Sequence, residues 1–408
     1  MIKIINIGKN MADTIELYYE SAYTKEFDAV VKDCKPVFDK EGDFFEITLD
    51  RTAFFPEQGG QSSDLGQLLF GDDKRAVVSH TAIDKDKVIK HISDCEIAVG
   101  EKVHGIIDWE HRFSNMQQHT GEHIFSGIVN SMFGYDNVGF HLSDQEVTMD
   151  YNGVLTAGNI REIELKVNKA IWENIEVVCE FPDKEALEQI DYRSKKELTG
   201  DIRIVTIGDY DCCACCAPHV LRTGEVGILK VIGLQNYKKG VRVNILCGKR
   251  ALEYICEENK IVSELSNMLT TSKDNILPAF KKNTDEIIKL KSELSAVREK
   301  LIEYEISNIS PSLKDVFLVK DAGIDQNVMR KTVNALSEKH DGYCGFFSGD
   351  VKNGYRFIIA SGRNKKSAKD LLTKLKEKCD VKGGGSDLMV QGSFSCENID
   401  DVVKCLKE

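Results

Sequence analysis

The sequence has no hydrophobic run long enough to span a bilayer, and its opening, Met-Ile-Lys-Ile-Ile-Asn-Ile-Gly-Lys, has no signal-peptide layout. Both absences argue against a membrane-spanning or secreted protein. Disulfide-framework spacing is missing too: the 13 cysteines are an odd number, scattered except for a cluster at 212 to 216. A reducing cytoplasm is the expected compartment. There is no overall basic excess, since net charge is −12, which counts against generic nucleic-acid binding because phosphate contacts come from Lys and Arg. Neither a Walker loop nor a dinucleotide fingerprint is present, and the run Gly383-Gly384-Gly385 fits neither pattern. What remains is a chain of 408 residues with ordinary charged and apolar fractions, enough for two or three domains with ample cores.

The pattern along the chain predicts an α+β protein. Residues 1–90 alternate short β-rich runs, such as Phe44-Phe45-Glu46-Ile47-Thr48-Leu49, with turns, and read as a small antiparallel β-barrel. Within it, Arg51 to Gly66 carries Pro56, the pair Gly59-Gly60 and several amides and hydroxyls. That composition predicts a tight loop that lets a ligand or another backbone come close. Residues 91–248 are mixed α/β, with a helix over about 113 to 133 whose buried stripe is Ile124, Ile128 and Met132. Residues 249–307 are helical, with Pro278 expected to kink or end a helix. The seam Ile287, Leu290, Leu294, Val297, Leu301, Tyr304 fits a helical hairpin or a dimer contact. Residues 308–408 alternate strands and helices and form a separate α/β domain.

Chemistry concentrates in two distant segments. His119 and His123 are four apart, so on a helix their imidazoles share one face and can share a cation. About ninety residues later comes Cys212-Cys213-Ala214-Cys215-Cys216-Ala217-Pro218-His219. Alone, the two histidines are compatible with a solvated helix face, and the cysteines with buried small apolar residues. Together they offer the nitrogen and sulfur ligands of a tetrahedral Zn²⁺. A metalloprotease helix would place its base directly after the first histidine; here Glu122 is three residues on, so a zinc hydrolase of another kind is expected. Lone His141, beside Gly139 and Phe140, is compatible with a structural role or with a place near the site.

Charge is uneven. From Lys230 to Leu252 there is no acidic residue, while Lys230, Lys238, Lys239, Arg242, Lys249 and Arg250 are basic; a second excess runs through Arg363, Lys365, Lys366, Lys369, Lys374, Lys376, Lys378 and Lys382. Such runs are commonly wetted faces, and two of them in an acidic chain also suit a polyanion.

In order along the chain, Gly59-Gly60-Gln61-x-x-Asp64-x-Gly66, His119-x-x-x-His123, Val138-Gly139-Phe140-His141-Leu142 and Cys215-x-x-x-His219-Val220-x-x-Thr223-Gly224 resemble the editing domain of alanyl-tRNA synthetase and its free-standing AlaX-type relatives. The region with Gly383 to Gly385 is similar to the DHH-associated domain that ends those synthetases. The resemblance covers nearly the whole chain. It implies hydrolysis of the ester joining serine or glycine to alanine tRNA, by a protein acting in trans because its start leaves no room for an aminoacylation domain. It implies zinc held by His119, His123, Cys215 and His219. Gln118 and Thr52 are then catalytic candidates, Gln118 for the ester or the water and Thr52 for a serine hydroxyl, with His141 a further one. The loop residues Gly59, Gly60, Gln61 and Asp64, the basic Lys238, Lys239 and Arg242, and the glycines 383 to 385 become candidates for substrate and tRNA contacts, and a homodimer through the helices and C-terminal domain is a further expectation.

One segment departs from the pattern, since the family's usual C-G-G-T-H is here Cys215-Cys216-Ala217-Pro218-His219. The surplus cysteines leave Cys216, or the pairs Cys212 with Cys215 and Cys213 with Cys216, as alternative ligands. Zinc can either lower the pKa of a water or fix the ester beside a separate one. The competing readings are a threonine-tRNA editor, a zinc-stabilised tRNA-binding protein without catalysis, and a CxxC redox protein.

Overall fold

The computed structural model describes residues 14–39, 42–143, 146–194, 201–364 and 366–407; Lys365 of the second basic run lies outside them. The chain divides into two compact units, Met1–Val262 and Ser263–Glu408.

Alternation of inward apolar and outward polar residues builds a closed barrel in the first unit. Its strands are β1 (Glu26–Asp39), β2 (Gly42–Leu49), β3 (Gly66–Phe70), β4 (Lys74–Ile83), β5 (Ile89–Ser93) and β6 (Lys102–Ile107), in the order β1-β2-β5-β4-β3-β6. In β6, for example, Val103 and Ile107 point inward with Phe27, Val31, Ile47, Leu49, Leu68 and Val78. β6 pairs with both β1 and β3 and closes the barrel. The barrel therefore ends past the boundary drawn at 90, because a turn at Gly100 (φ 87°) brings one more strand back to it.

Next come α1 (Trp109–Phe133), β7 (Asn137–Leu142), β8 (Val147–Tyr151), α2 (Ala157–Trp172), β9 (Val177–Glu180), β10 (Ile204–Ile207), β11 (Asp211–Ala214), β12 (Leu229–Tyr237) and β13 (Gly240–Cys247). They form two sheets, β12-β13-β8-β7 and β9-β10-β11. The core between them includes Ile124, Phe125, Ile128, Met149, Ile163, Val167, Val205 and Val243. α1 is buried over most of its length. It approaches β13 so closely that a Cβ on Gly121 would collide with Cys247 Sγ. Asp108 caps its start by accepting from the His111 amide at 3.1 Å, and Gly134, at φ 68°, ends it. The helix thus begins a turn before the expected 113.

One buried ion pair ties α1 to the barrel. Arg112 donates through Nε to Asp64 Oδ1 at 2.8 Å and through Nη1 to the Ala22 carbonyl at 2.8 Å, both charged residues being wholly buried. Asp64 also accepts from the Phe55 amide at 2.5 Å. Removing either partner would strand a buried charge, at about 3–5 kcal/mol.

The helical stretch is two helices, α3 (Gly248–Met268) and α4 (Ile276–Ser307). Pro278 neither kinks nor ends one: it sits in the first turn of α4, where its missing N–H has no intrahelical acceptor to lose. The seam residues are exposed, from 50% for Leu294 to 68% for Tyr304, so a hairpin does not cover them. In the second unit β14 (Val316–Lys320), α5 (Gln326–Ser337), β15 (Tyr343–Asp350), β16 (Gly354–Ser361), α6 (Ala368–Lys378), β17 (Asp380–Gly385), β18 (Met389–Ser395) and α7 (Ile399–Lys407) build a five-stranded sheet, β14-β15-β16-β18-β17. One core cluster joins α6 and α7 to the sheet and another joins α5 and Ile302 of α4. Gly383 to Gly385 are the end of exposed edge strand β17. No helix among the described residues is long and apolar enough to cross a membrane.

Candidate metal centre

α1 and the segment after β11 bring the two distant motifs together. His119 and His123 ring centroids are 5.3 Å apart, and the His219 ring lies 4.9 Å from the first and 4.7 Å from the second. Cys215 Sγ stands 3.5 Å from His119 Nε2 and 3.5 Å from His219 Nε2. One donor atom from each of the four lies within 4.8 Å of the others. The three histidines are buried and Cys215 is half-buried. Arg203 holds the cysteine segment in place, donating to the Cys215 carbonyl at 3.1 Å and the Ala217 carbonyl at 2.8 Å.

These residues fit a tetrahedral metal. Nitrogens at about 2.0 Å and a sulfur at about 2.3 Å from a common centre stand about 3.5 Å apart, the nitrogen to sulfur separation seen here. The outward nitrogens are equally informative. His119 Nδ1 faces Gln61 Oε1 at 2.6 Å, His123 Nδ1 faces Asp211 Oδ2 at 2.8 Å, and His219 Nδ1 faces Thr120 Oγ1 at 3.0 Å. With protons on all three Nδ1 atoms, each Nε2 presents a lone pair inward, as metal-binding histidines do when an outer acceptor fixes their tautomer. Burial, then the nearby His123 and His119, holds His219 well below the usual histidine range, keeping that lone pair available. For His123 burial pulls downward, but the Asp211 hydrogen bond and the neighbouring Cys213 and Glu122 carry it above its ordinary value.

A second group, His123, Asp211 and Cys213, is also close enough to share an ion. Asp211 is already paired, its Oδ1 accepting from Arg193 Nε and Nη2 at 2.7 Å. That guanidinium is a poor neighbour for a second cation, and burial pushes the Cys213 thiol up to about 11, which disfavours the thiolate a metal takes. This group therefore serves as an outer support. The sequence reading missed Asp211, Thr120 and Arg193. A signal existed for Asp211, an acid one residue ahead of the cysteine cluster; Thr120 and Arg193 had none.

The glycine-rich loop lies against this centre. Gly59 and Gly60 take positive φ angles of 66° and 85°. A Cβ on Gly60 would meet Phe140 Cδ1 and O at 2.8 Å, and one on Gly59 would sit 3.3 Å from Cys216 Sγ. Leu142 donates its amide to the Gly60 carbonyl at 2.8 Å, so another backbone is what the glycines admit. Phe140 in turn packs on His119 with centroids 4.9 Å apart. Gln61 is wholly buried, and its Nε2 has no hydrogen-bond partner among the described residues. An amide donor left so would cost about 1–3 kcal/mol.

Other candidates are placed differently. Gln118 spends its amide on β13, donating to the Cys247 carbonyl at 2.9 Å and accepting from the Cys247 amide at 2.7 Å, so it braces α1 instead of holding an ester or a water. Thr52 is buried with its hydroxyl against His91 Nε2 at 2.8 Å and accepting from the Phe54 amide at 3.1 Å, so its proton is committed inside the barrel. His141 is exposed on β7 and outside the four-ligand group, and Asp64 is the buried latch described above. Arg242 is neutralised by Asp150 at 2.6 Å and stacks on Tyr237 at 4.0 Å. Lys238 and Lys239 occupy the β12–β13 turn. Gly383 to Gly385 lie on the edge strand of the other unit. A cavity of about 1020 Å³ opens on the barrel wall beside Arg51, Lys74, Lys102 and His104, and none of the four ligands lines it.

The chain is similar to known proteins in several stretches. The profile of the class II (A) tRNA synthetases matches residues 4–111, and that of the threonyl and alanyl tRNA synthetase second additional domain matches residues 202–244, which hold Cys215 and His219. The alanyl-tRNA editing protein AlaX-L of Pyrococcus horikoshii is 38% identical over 59% of this chain and 60% of its own length. An alanine–tRNA ligase of Pyrococcus abyssi is 30% identical over 98% of this chain and 44% of its own, and the alanyl-tRNA editing protein Aarsd1 of Danio rerio is 27% identical over 84% and 85%. The chain spans 60% of the length of AlaX-L and less than half that of the ligase. Matches on the barrel and on the cysteine segment, with the histidine and cysteine centre between them, make this chain a relative of the AlaX-type alanyl-tRNA editing proteins.

Proposed function

We propose that the protein is a zinc-dependent aminoacyl-tRNA deacylase that clears serine or glycine from alanine tRNA. The observation that carries this reading is the convergence of His119, His123, His219 and Cys215 with every outward imidazole nitrogen already bonded. Three nitrogens and a sulfur in tetrahedral spacing suit Zn²⁺ better than a hard, oxygen-seeking cation. When bound, zinc supplies Lewis acidity beside the aminoacyl ester.

The chain's own groups do the rest. Gln61, Asp211 and Thr120 fix the ring orientations, Arg203 fixes the cysteine segment, and Phe140 with the Gly59–Gly60 turn walls one side of the centre. Four protein ligands would close a tetrahedral site, so turnover requires the set to open. Cys215, alone of the four not fully buried, is the member placed to do so. Such an enzyme answers a physical need: a pocket built for alanine cannot keep out glycine, and an added hydroxyl changes affinity by only about a factor of 10². Lys238 and Lys239 on one unit and Lys374, Lys376 and Lys378 of α6 on the other are candidate phosphate contacts. The exposed seam of α4 is a candidate contact between two copies.

The test is deacylation of Ser-, Gly- and Ala-charged alanine tRNA and Ser-charged threonine tRNA, with metal measured on the same sample. Release of serine from alanine tRNA by zinc-loaded protein, lost on chelation without unfolding, is expected. Zinc-loaded protein that leaves every charged tRNA intact would refute the reading.

A further inference from the structure

Gln61 sits where the barrel and the metal centre meet, and half of its side chain is unaccounted for. Its oxygen is used, accepting from His119 Nδ1 at 2.6 Å. Its nitrogen is buried and, among the described residues, hydrogen-bonded to nothing. An amide's oxygen and nitrogen share one carbon, so this donor lies within about 5 Å of the His119 ring. The backbone beneath it is pinned, because the Gln61 amide donates to the Gln58 carbonyl at 3.1 Å and the residue bridges to Leu142. The group is therefore held still, dry and next to the centre, the condition under which one N–H contributes most to stabilising charge that develops in a reaction.

We infer that Gln61 Nε2 donates a hydrogen bond to the carbonyl oxygen of the aminoacyl ester, a role that rests on the deacylase reading. With its own oxygen committed to His119, Gln61 offers donors only. A carbonyl oxygen offers acceptors only and gains negative charge as water adds to the carbon, so the two match. A serine hydroxyl, which both gives and takes, would be met better by a group with both capacities. One side chain then links the two halves of the site, its oxygen setting a metal ligand's tautomer and its nitrogen meeting the substrate.

Two variants separate the halves. Gln61→Glu keeps an acceptor for His119 and removes the donor; Gln61→Met removes both. Zinc affinity and single-turnover deacylation are measured on each, with seryl and glycyl esters, together with binding of an adenosine carrying glycine through a non-hydrolysable 3′ amide. For Gln61→Glu the expectation is zinc affinity no weaker than the parent's, a loss of about 10²–10³ in rate on both esters, and little change in KM or in binding of the amide. Gln61→Met should in addition lose about 10–100-fold in zinc affinity. A fully active Gln61→Glu beside an active parent overturns this inference alone, as does a loss confined to seryl esters or to KM. A parent that deacylates nothing overturns the proposed function and this inference with it.

Discussion

Two places in the first unit bury histidine, and they differ in what the rings' second nitrogens meet. His91, on barrel strand β5, uses both: Nδ1 lies 2.9 Å from the Ile47 carbonyl and Nε2 lies 2.8 Å from the Thr52 hydroxyl. A carbonyl only accepts, so Nδ1 carries the proton and Thr52 donates to Nε2. Nothing is left over, and burial holds this imidazole neutral, pulled down to about 4. His119, His123 and His219 each place Nδ1 against an outer partner, and the Nε2 atoms of His119 and His219 both face Cys215 Sγ. Converging lone pairs repel unless a cation lies between them. Burial of an imidazole is thus no sign of a site; a ring nitrogen turned toward the donor atoms of other candidate ligands is.

The sharpest way to break this contrast is to remove one converging ligand. His123→Ala should lose zinc and more than about a hundredfold in deacylation, since loss of even an outer partner costs about 10–100-fold. A variant that kept its metal and rate would show that the convergence is accidental. The next effect is on the outer partners. Asp211→Asn should weaken zinc about 10–100-fold, read by competition with a chelator of known affinity. An unchanged affinity would reduce Asp211 to a partner of Arg193.

How much of this was legible in the sequence follows from the same physics. The four residues that converge were named in the sequence through the family resemblance, and spacing by itself gave only a shared helix face for His119 and His123. Gln61, Asp211 and Thr120 as supporting partners were not, because loop packing and the register of β11 on β10 bring them in. Asp211 and Cys213 share the buried face of a strand, which period two permits, but which helix faces them is a tertiary fact. Gln118 and Thr52 misled for a related reason: polar residues beside a motif suggest chemistry, yet buried ones are bonded somewhere, here to Cys247 and His91. In the second unit, β17 was hidden by its glycines, which have low strand propensity and lie on an edge that demands little of side chains. The barrel's last strand was hidden by the turn before it.

A smaller effect tests the other side of the comparison. Thr52→Val removes the donor to His91 Nε2 and should cost about 1–3 kcal/mol of stability, measured by urea denaturation. Zinc content and seryl-tRNA deacylation should stay within about twofold of the parent, since no partner is shared with the metal centre. A large loss of rate without loss of stability would return Thr52 to the substrate.

The smallest effect is in the acid limb of stability, and there the two clusters separate by their response to metal. His91 has a folded pKa of about 4 against an ordinary 6.5. Between those values the unfolded chain binds a proton that the fold refuses. Its contribution is complete above about pH 6.5 and is lost as pH falls toward 4, roughly 3 kcal/mol in all. His91→Leu should flatten this part of the stability curve, apart from a pH-independent offset for the bonds it breaks. At the metal centre protons compete with zinc for the same nitrogens, so added zinc moves the acid transition of parent and variant alike. The difference in slope between the two proteins should therefore be the same at every zinc concentration. If it shrinks as zinc rises, the barrel histidine and the converging three are coupled, and the division between a core histidine and a ligand histidine fails in this protein.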